Sequence, residues 1–162
     1  MGLLNGGLVE ESVSRHAIPD IVTLTATGAI TNATHSGRTL LMGEVGGDAA
    51  ATFTLPAATG SGAIFKFIVS VVNTSNYKIQ VTGDDTIDGQ LMITDADGTA
   101  ATSFVTAATT DTITLNATTT GGAAIGDYVE LIDIASDQYA LSGMLTCAAG
   151  SNIATMMSAA VS

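Results

Sequence analysis

The run Thr52-Phe53-Thr54-Leu55-Pro56-Ala57-Ala58-Thr59-Gly60-Ser61-Gly62-Ala63-Ile64-Phe65-Lys66-Phe67-Ile68-Val69-Ser70-Val71-Val72 reads as strand, turn and strand. Thr52 to Leu55 alternate polar with apolar, so that strand has one wet face. Pro56 ends it, because proline has no N–H to give to a ladder. Gly60-Ser61-Gly62 supplies a turn in which glycine accepts positive φ at no steric cost. Residues 63–72 are then apolar at nearly every position, the pattern of a central strand covered on both sides.

The same pattern repeats in both directions along the chain. Residues 21–27 set Val22, Leu24 and Ala26 against Thr23, Thr25 and Thr27. Tyr77, Ile79 and Val81 alternate with Lys78 and Gln80, and Ile113 and Leu115 alternate with Thr112 and Thr114. Further strands are expected over residues 38–45, 90–94, 103–107, 127–134 and 138–145. Turn clusters such as Asn73-Thr74-Ser75-Asn76, Gly83-Asp84-Asp85 and Asp95-Ala96-Asp97-Gly98 lie between them. Strand and turn recurring about every eight to twelve residues predict an all-β fold, a sandwich or a jelly-roll-like barrel of about ten strands. No segment repeats convincingly.

The two ends differ from the middle. Residues 1–20 lack the period of two and are expected to form an extended N-terminal arm, with one short helical turn over 10–14 that Pro19 stops. Residues 21–162 are expected to form the β domain. A glycine-bearing tail ordinarily avoids apolar side chains, yet Leu3, Leu4, Leu8 and Val9 stand in the arm. Something is expected to cover them, either a partner surface or the chain's own core. Residues 151–162, with Ile153, Met156 and Met157, suit a last edge strand or a subunit contact.

Composition excludes several function classes. At 162 residues the length suits one domain that buries roughly 70% of its unfolded surface. Hydrophobic residues make up 46%, which argues against disorder, while charged residues make up only 12%. Acids outnumber bases 15 to 4, for a formal charge of −11. Such a chain repels phosphate backbones and anionic lipid, so no nucleic-acid partner and no membrane partner is expected. The start carries no signal-peptide pattern, so synthesis in a cytoplasm is expected. The longest apolar stretch is about half of the ~20 residues a membrane helix needs.

No catalytic constellation emerges. Gly60-Ser61-Gly62 and Leu141-Ser142-Gly143 both miss the Gly-x-Ser-x-Gly elbow, and Gly43-Glu44-Val45-Gly46-Gly47-Asp48 ends in an acid where a phosphate loop needs lysine. The single cysteine, Cys147, sits in an apolar setting and reads as structural. With His16 and His35 as the only histidines, no zinc set exists. Asp84, Asp85 and Asp88 surround one turn and Asp95 and Asp97 the next, so oxygen ligands for Ca²⁺ converge only if those turns meet; otherwise these acids are turn formers and solubility charges. No cofactor, no metal and no enzyme activity are expected.

The stretches Ser36-Gly37-Arg38-Thr39-Leu40-Leu41, Ala51 through Phe67, Gly83-Asp84-Asp85-Thr86-Ile87-Asp88-Gly89 and Gly126-Asp127-Tyr128-Val129-Glu130-Leu131 resemble the small β-rich virion proteins of tailed bacteriophages called capsid decoration, cement or head-fibre proteins. The resemblance covers roughly Val22 to Leu145, and its most specific phrase is Thr54-Leu55-Pro56-Ala57-Ala58-Thr59-Gly60-Ser61-Gly62. It implies a homotrimer on the outer capsid surface that clamps neighbouring major capsid protein subunits. No family binding residue transfers position by position. Leu3, Leu4, Leu8 and Val9 are the expected apolar footing, since a cement protein needs no pocket and many small interfaces add up. The alternative expectation is a fibre or adhesin module that binds a host surface, though aromatic and arginine anchors are scarce in the expected loops.

Overall fold

A computed structural model describes residues 20–43, 49–72, 74–150 and 152–161. The arm expected over residues 1–20, with Leu3, Leu4, Leu8, Val9 and the helical turn at 10–14, lies outside the described residues except for Asp20. The described chain is an all-β sandwich. Its elements are β1 (Ile21–Leu24), β2 (Gly28–Ala29), α1 (Asn32–His35), β3 (Thr39–Met42), β4 (Ala51–Thr54), β5 (Ile64–Val69), β6 (Tyr77–Gln80), β7 (Thr86–Asp95), β8 (Ala101–Val105), β9 (Thr112–Leu115), β10 (Tyr128–Ala135), β11 (Gln138–Cys147) and β12 (Met157–Ser158). Seven strands form one sheet in the order β1-β3-β5-β10-β11-β7-β8, and five form the other in the order β12-β9-β6-β4-β2.

From β1 to β6 the chain crosses between the sheets at every step. Each return lands parallel to the strand it left, so Ile21, Thr39 and Lys66 stand side by side in one sheet and Gly28, Phe53 and Ile79 in the other. This is a solenoid winding, and it distinguishes the sandwich from a jelly roll, whose neighbouring strands run antiparallel. The β10–β11 hairpin then inserts between β5 and β7, antiparallel to β5 and parallel to β7. The short strand β12 closes an edge of the smaller sheet against β9, as the last-strand expectation for the C-terminal segment had it.

Alternation places the core. Phe65, Phe67 and Val69 of β5, Val129 and Leu131 of β10, and Leu91 and Ile93 of β7 point inward, against Phe53, Tyr77, Ile79 and Ile113 of the opposite sheet. Phe53 stacks on Phe67 across the sandwich at 6.2 Å between ring centroids and tilts against Tyr77 at 6.0 Å. The Phe53–Phe67 pair ties the two sheets together, while Phe53 and Tyr77 join β4 to β6 within the smaller sheet.

One expectation is corrected here. Among the described residues β5 is covered on one side only: Ile64 is exposed, and Lys66 and Ile68 are half-buried on the outer face. Its outward positions alternate Ile64, Lys66 and Ile68, and Ile68 joins a largely uncharged row across the sheet.

Candidate functional site

The polar interior is built from carboxylates that hold loops. Asp133, near the end of β10, is buried and accepts hydrogen bonds from the N–H groups of Thr59, Gly60 and Ser61 at 3.0, 2.6 and 3.1 Å. The hydroxyls of Ser61 and Thr59 add bonds of 2.6 and 3.2 Å. Gly60 and Gly62 have φ of 75° and 74°, which lets the turn fold its N–H groups toward one anion. Burial pushes the Asp133 carboxyl upward, but the bonds from Ser61, Gly60 and Thr59 outweigh it and hold the pKa at about 2. The Thr-Gly-Ser-Gly phrase is therefore a nest closed on a carboxylate of its own chain.

Neighbouring groups complete the clasp. Asp85 accepts from the Ala58 N–H at 2.8 Å, and the Tyr139 hydroxyl donates to the Pro56 carbonyl at 2.8 Å. Burial raises the Asp85 carboxyl above its ordinary value, and burial followed by the Asp133 charge raises the Tyr139 phenol, which keeps its proton for Pro56. Elsewhere Asp127 accepts from Gly122 and Thr146 N–H at 3.0 and 2.7 Å, with its carboxyl raised by burial. Asp111 accepts from the N–H groups of Ala160 and Val161 at 2.7 and 3.0 Å and so anchors the C-terminal segment.

The acidic turns weighed as Ca²⁺ ligands do not converge. Asp84 and Asp85 precede β7 and Asp97 follows it, and even Asp88 and Asp95, both within the strand, are separated by about 23 Å. Asp88 accepts from Gln138 at 2.7 Å, and Asp95 accepts from the N–H groups of Asp97 and Thr99 as a turn former. Among the described residues no group of three His, Cys, Asp or Glu is placed to hold a metal ion. Cys147 is buried, and burial followed by the nearby Asp95 charge raises its thiol, as befits a core residue. His35 lies in α1, where its Nδ1 accepts from the Thr31 N–H at 3.0 Å; it is a cap element of that short helix.

The outer face of the seven-stranded sheet is the surface these elements present. One cross-strand row runs Thr23, Leu41, Ile68, Tyr128, Met144, Met92, Ser103, each opposite the next in register. Met144 and Met92 are 53% and 49% exposed, too much for core residues and unusual for two neighbouring methionines. With Ser103, Tyr128 and Ser142 they line a shallow depression of about 270 Å³. In the adjacent row Lys66 stands opposite Glu130, and the Lys66 ammonium lies 4.8 Å from the Tyr128 ring centroid. Within the strands of this sheet, Asp88 and Glu130 are the acids at outward positions, whereas Asp95 and Asp133 are buried.

Sequence reasoning placed its footing on Leu3, Leu4, Leu8 and Val9, which lie outside the described residues, and did not single out this row. The signal was present in Lys66, a charge in the middle of an apolar run that marks its own side of the strand as outward. The Asp133 nest was also missed; its signal is a Gly-Ser-Gly turn with no phosphate-binding lysine. No family model, no curated protein and no solved structure matches the chain.

Proposed function

We propose that the chain is a structural virion protein that decorates a tailed-phage capsid and stabilises it by clamping neighbouring major capsid protein subunits, as a homotrimer on the outer capsid surface after synthesis in the host cytoplasm. The resemblance over Val22 to Leu145 is the source of this reading. The observation that supports it best is the use made of the most specific phrase. Its nest closes on Asp133 within the fold, so those residues serve rigidity, which suits a protein that acts by surface contact. The apolar footing on the capsid is the segment with Leu3, Leu4, Leu8 and Val9, and a charge of −11 per chain keeps finished particles apart.

The test is co-sedimentation with undecorated, expanded capsids of the same virus, using the full chain and a version lacking residues 1–20. Binding that saturates at a fixed copy number and needs residues 1–20 supports the proposal. Full-length protein that stays in the supernatant overturns it and moves the reading to a fibre or adhesin module, for which binding to host cells is the next measurement.

A further inference from the structure

We infer that in the free chain residues 1–19 lie across the outer face of the seven-stranded sheet, with Leu8 and Val9 over the Met144 and Met92 pair. The inference concerns the chain by itself. Under the capsid reading the same segment is the footing, and this face is where it waits until the protein docks.

The distribution of apolar side chains calls for a cover. Among the described residues eight large hydrophobic side chains are exposed, and five of them, Ile21, Ile64, Met92, Val105 and Met144, point out from this one sheet. Exposed apolar residues scattered singly need no explanation, but this many gathered on one face mark a contact surface. Charge is thin on the same face. Lys66 is the basic residue within the strands of this sheet, Glu130 stands opposite it, and Asp88 is held by Gln138. A segment that carries Glu10 and Glu11, in a chain of −11, meets less repulsion here than over the acidic loops, and Lys66 offers it an opposite charge.

The point where the chain enters the sheet selects residues 1–19 as that cover. β1 is the edge strand, its first residue Ile21 points out from the face, and the Asp20 carbonyl is fixed to the sheet by the Thr39 N–H at 3.1 Å. The preceding residues are therefore delivered at the rim of the apolar face. With strands about 4.8 Å apart, Met144 on β11 lies about 19 Å from β1 and Met92 on β7 about 24 Å. Val9 stands eleven positions before Asp20, and eleven residues of extended chain reach about 36 Å. Leu3 and Leu4 have the length to reach β8, where Val105 is exposed. So short a tether gives the segment an effective concentration of about millimolar at the face, above that of a free partner at micromolar concentration.

Peroxide footprinting tests the inference, because hydrogen peroxide oxidises an accessible thioether to the sulfoxide and is itself reduced to water. Rates are read by mass spectrometry for the full chain and for a chain lacking residues 1–19, over a series of dilute protein concentrations. Met92 and Met144 are expected to oxidise several-fold faster in the shortened chain, at rates independent of protein concentration, while buried Met42 stays unreactive in both. A full-length variant with Leu3→Ser, Leu4→Ser, Leu8→Ser and Val9→Ser together, of unchanged circular dichroism, is expected to show the same faster rate and decides the matter if the shortened chain does not fold. Equal rates in the full chain and that variant overturn the inference. Protection that arises only as the protein is concentrated also overturns it and assigns the cover to a second copy. The rates are measured without capsids, so this inference and the capsid reading fail separately.

Discussion

Replacing Asp133 by Asn isolates the clasp on which the 56–62 loop depends. The carboxylate accepts from three backbone N–H groups and two hydroxyls, and Asn of the same shape offers one acceptor oxygen and turns an NH₂ toward donors. A carboxyl held at about 2 instead of its ordinary 3.8 favours the ionised native state by about 2 kcal/mol, at about 1.4 kcal/mol per pH unit. Leaving a buried donor unsatisfied adds about 1 kcal/mol, so Asp133→Asn is expected to lose about 2–4 kcal/mol at pH 7. The sign with pH follows from the lowered native value. The contribution is complete above the unfolded value of 3.8 and fades as pH falls toward about 2. By pH 3 about 1 kcal/mol of the wild type's advantage is gone. Urea unfolding of both proteins at pH 7 and pH 3 measures this directly. A gap below about 0.5 kcal/mol at pH 7, or one that does not narrow at pH 3, would refute the clasp as the source of stability.

Two further outcomes follow from the same geometry. Asp127→Asn is expected to stay within about 1 kcal/mol of wild type at pH 7, because Gly122 and Thr146 both donate to a single oxygen that Asn retains, and removing a buried charge offsets the change. Its pH trend is opposite to that of Asp133: burial raises the native carboxyl, so the wild type gains stability relative to Asp127→Asn as the medium is acidified through the raised value. In the same unfolding assay Gly143→Ala is expected to lose at least about 2 kcal/mol, since its new Cβ meets the Tyr128 carbonyl oxygen and lies 2.7 Å from Leu91 Cδ2. Gly28→Ala, in open space, serves as the control and is expected to change stability by less than about 0.5 kcal/mol.

The alternations at Thr52 to Leu55, Tyr77 to Val81 and Thr112 to Leu115 each became a strand with its apolar side inward. A period of two needs only neighbours in the chain to be legible. Cys147 as a core residue and the turns at Gly60-Ser61-Gly62 and Asp95 to Gly98 were legible for the same reason: local composition states them. The very short strand β2 and the four-residue α1 carry too few residues to show a period.

The all-β class, the one-domain length and the acidic balance were thus determined by the sequence itself, because each is a sum or a local pattern. Tertiary structure alone decided the solenoid winding, since parallel pairing joins Ile21 to Thr39 and Thr39 to Lys66 with no mark in either segment. It alone decided that Asp133 meets the 59–61 turn, whose residues are more than seventy positions away in the chain. And it decided that the apolar run of β5 faces outward on one side, because burial depends on what a second sheet covers, and only one face of the seven-stranded sheet is covered by the five-stranded one.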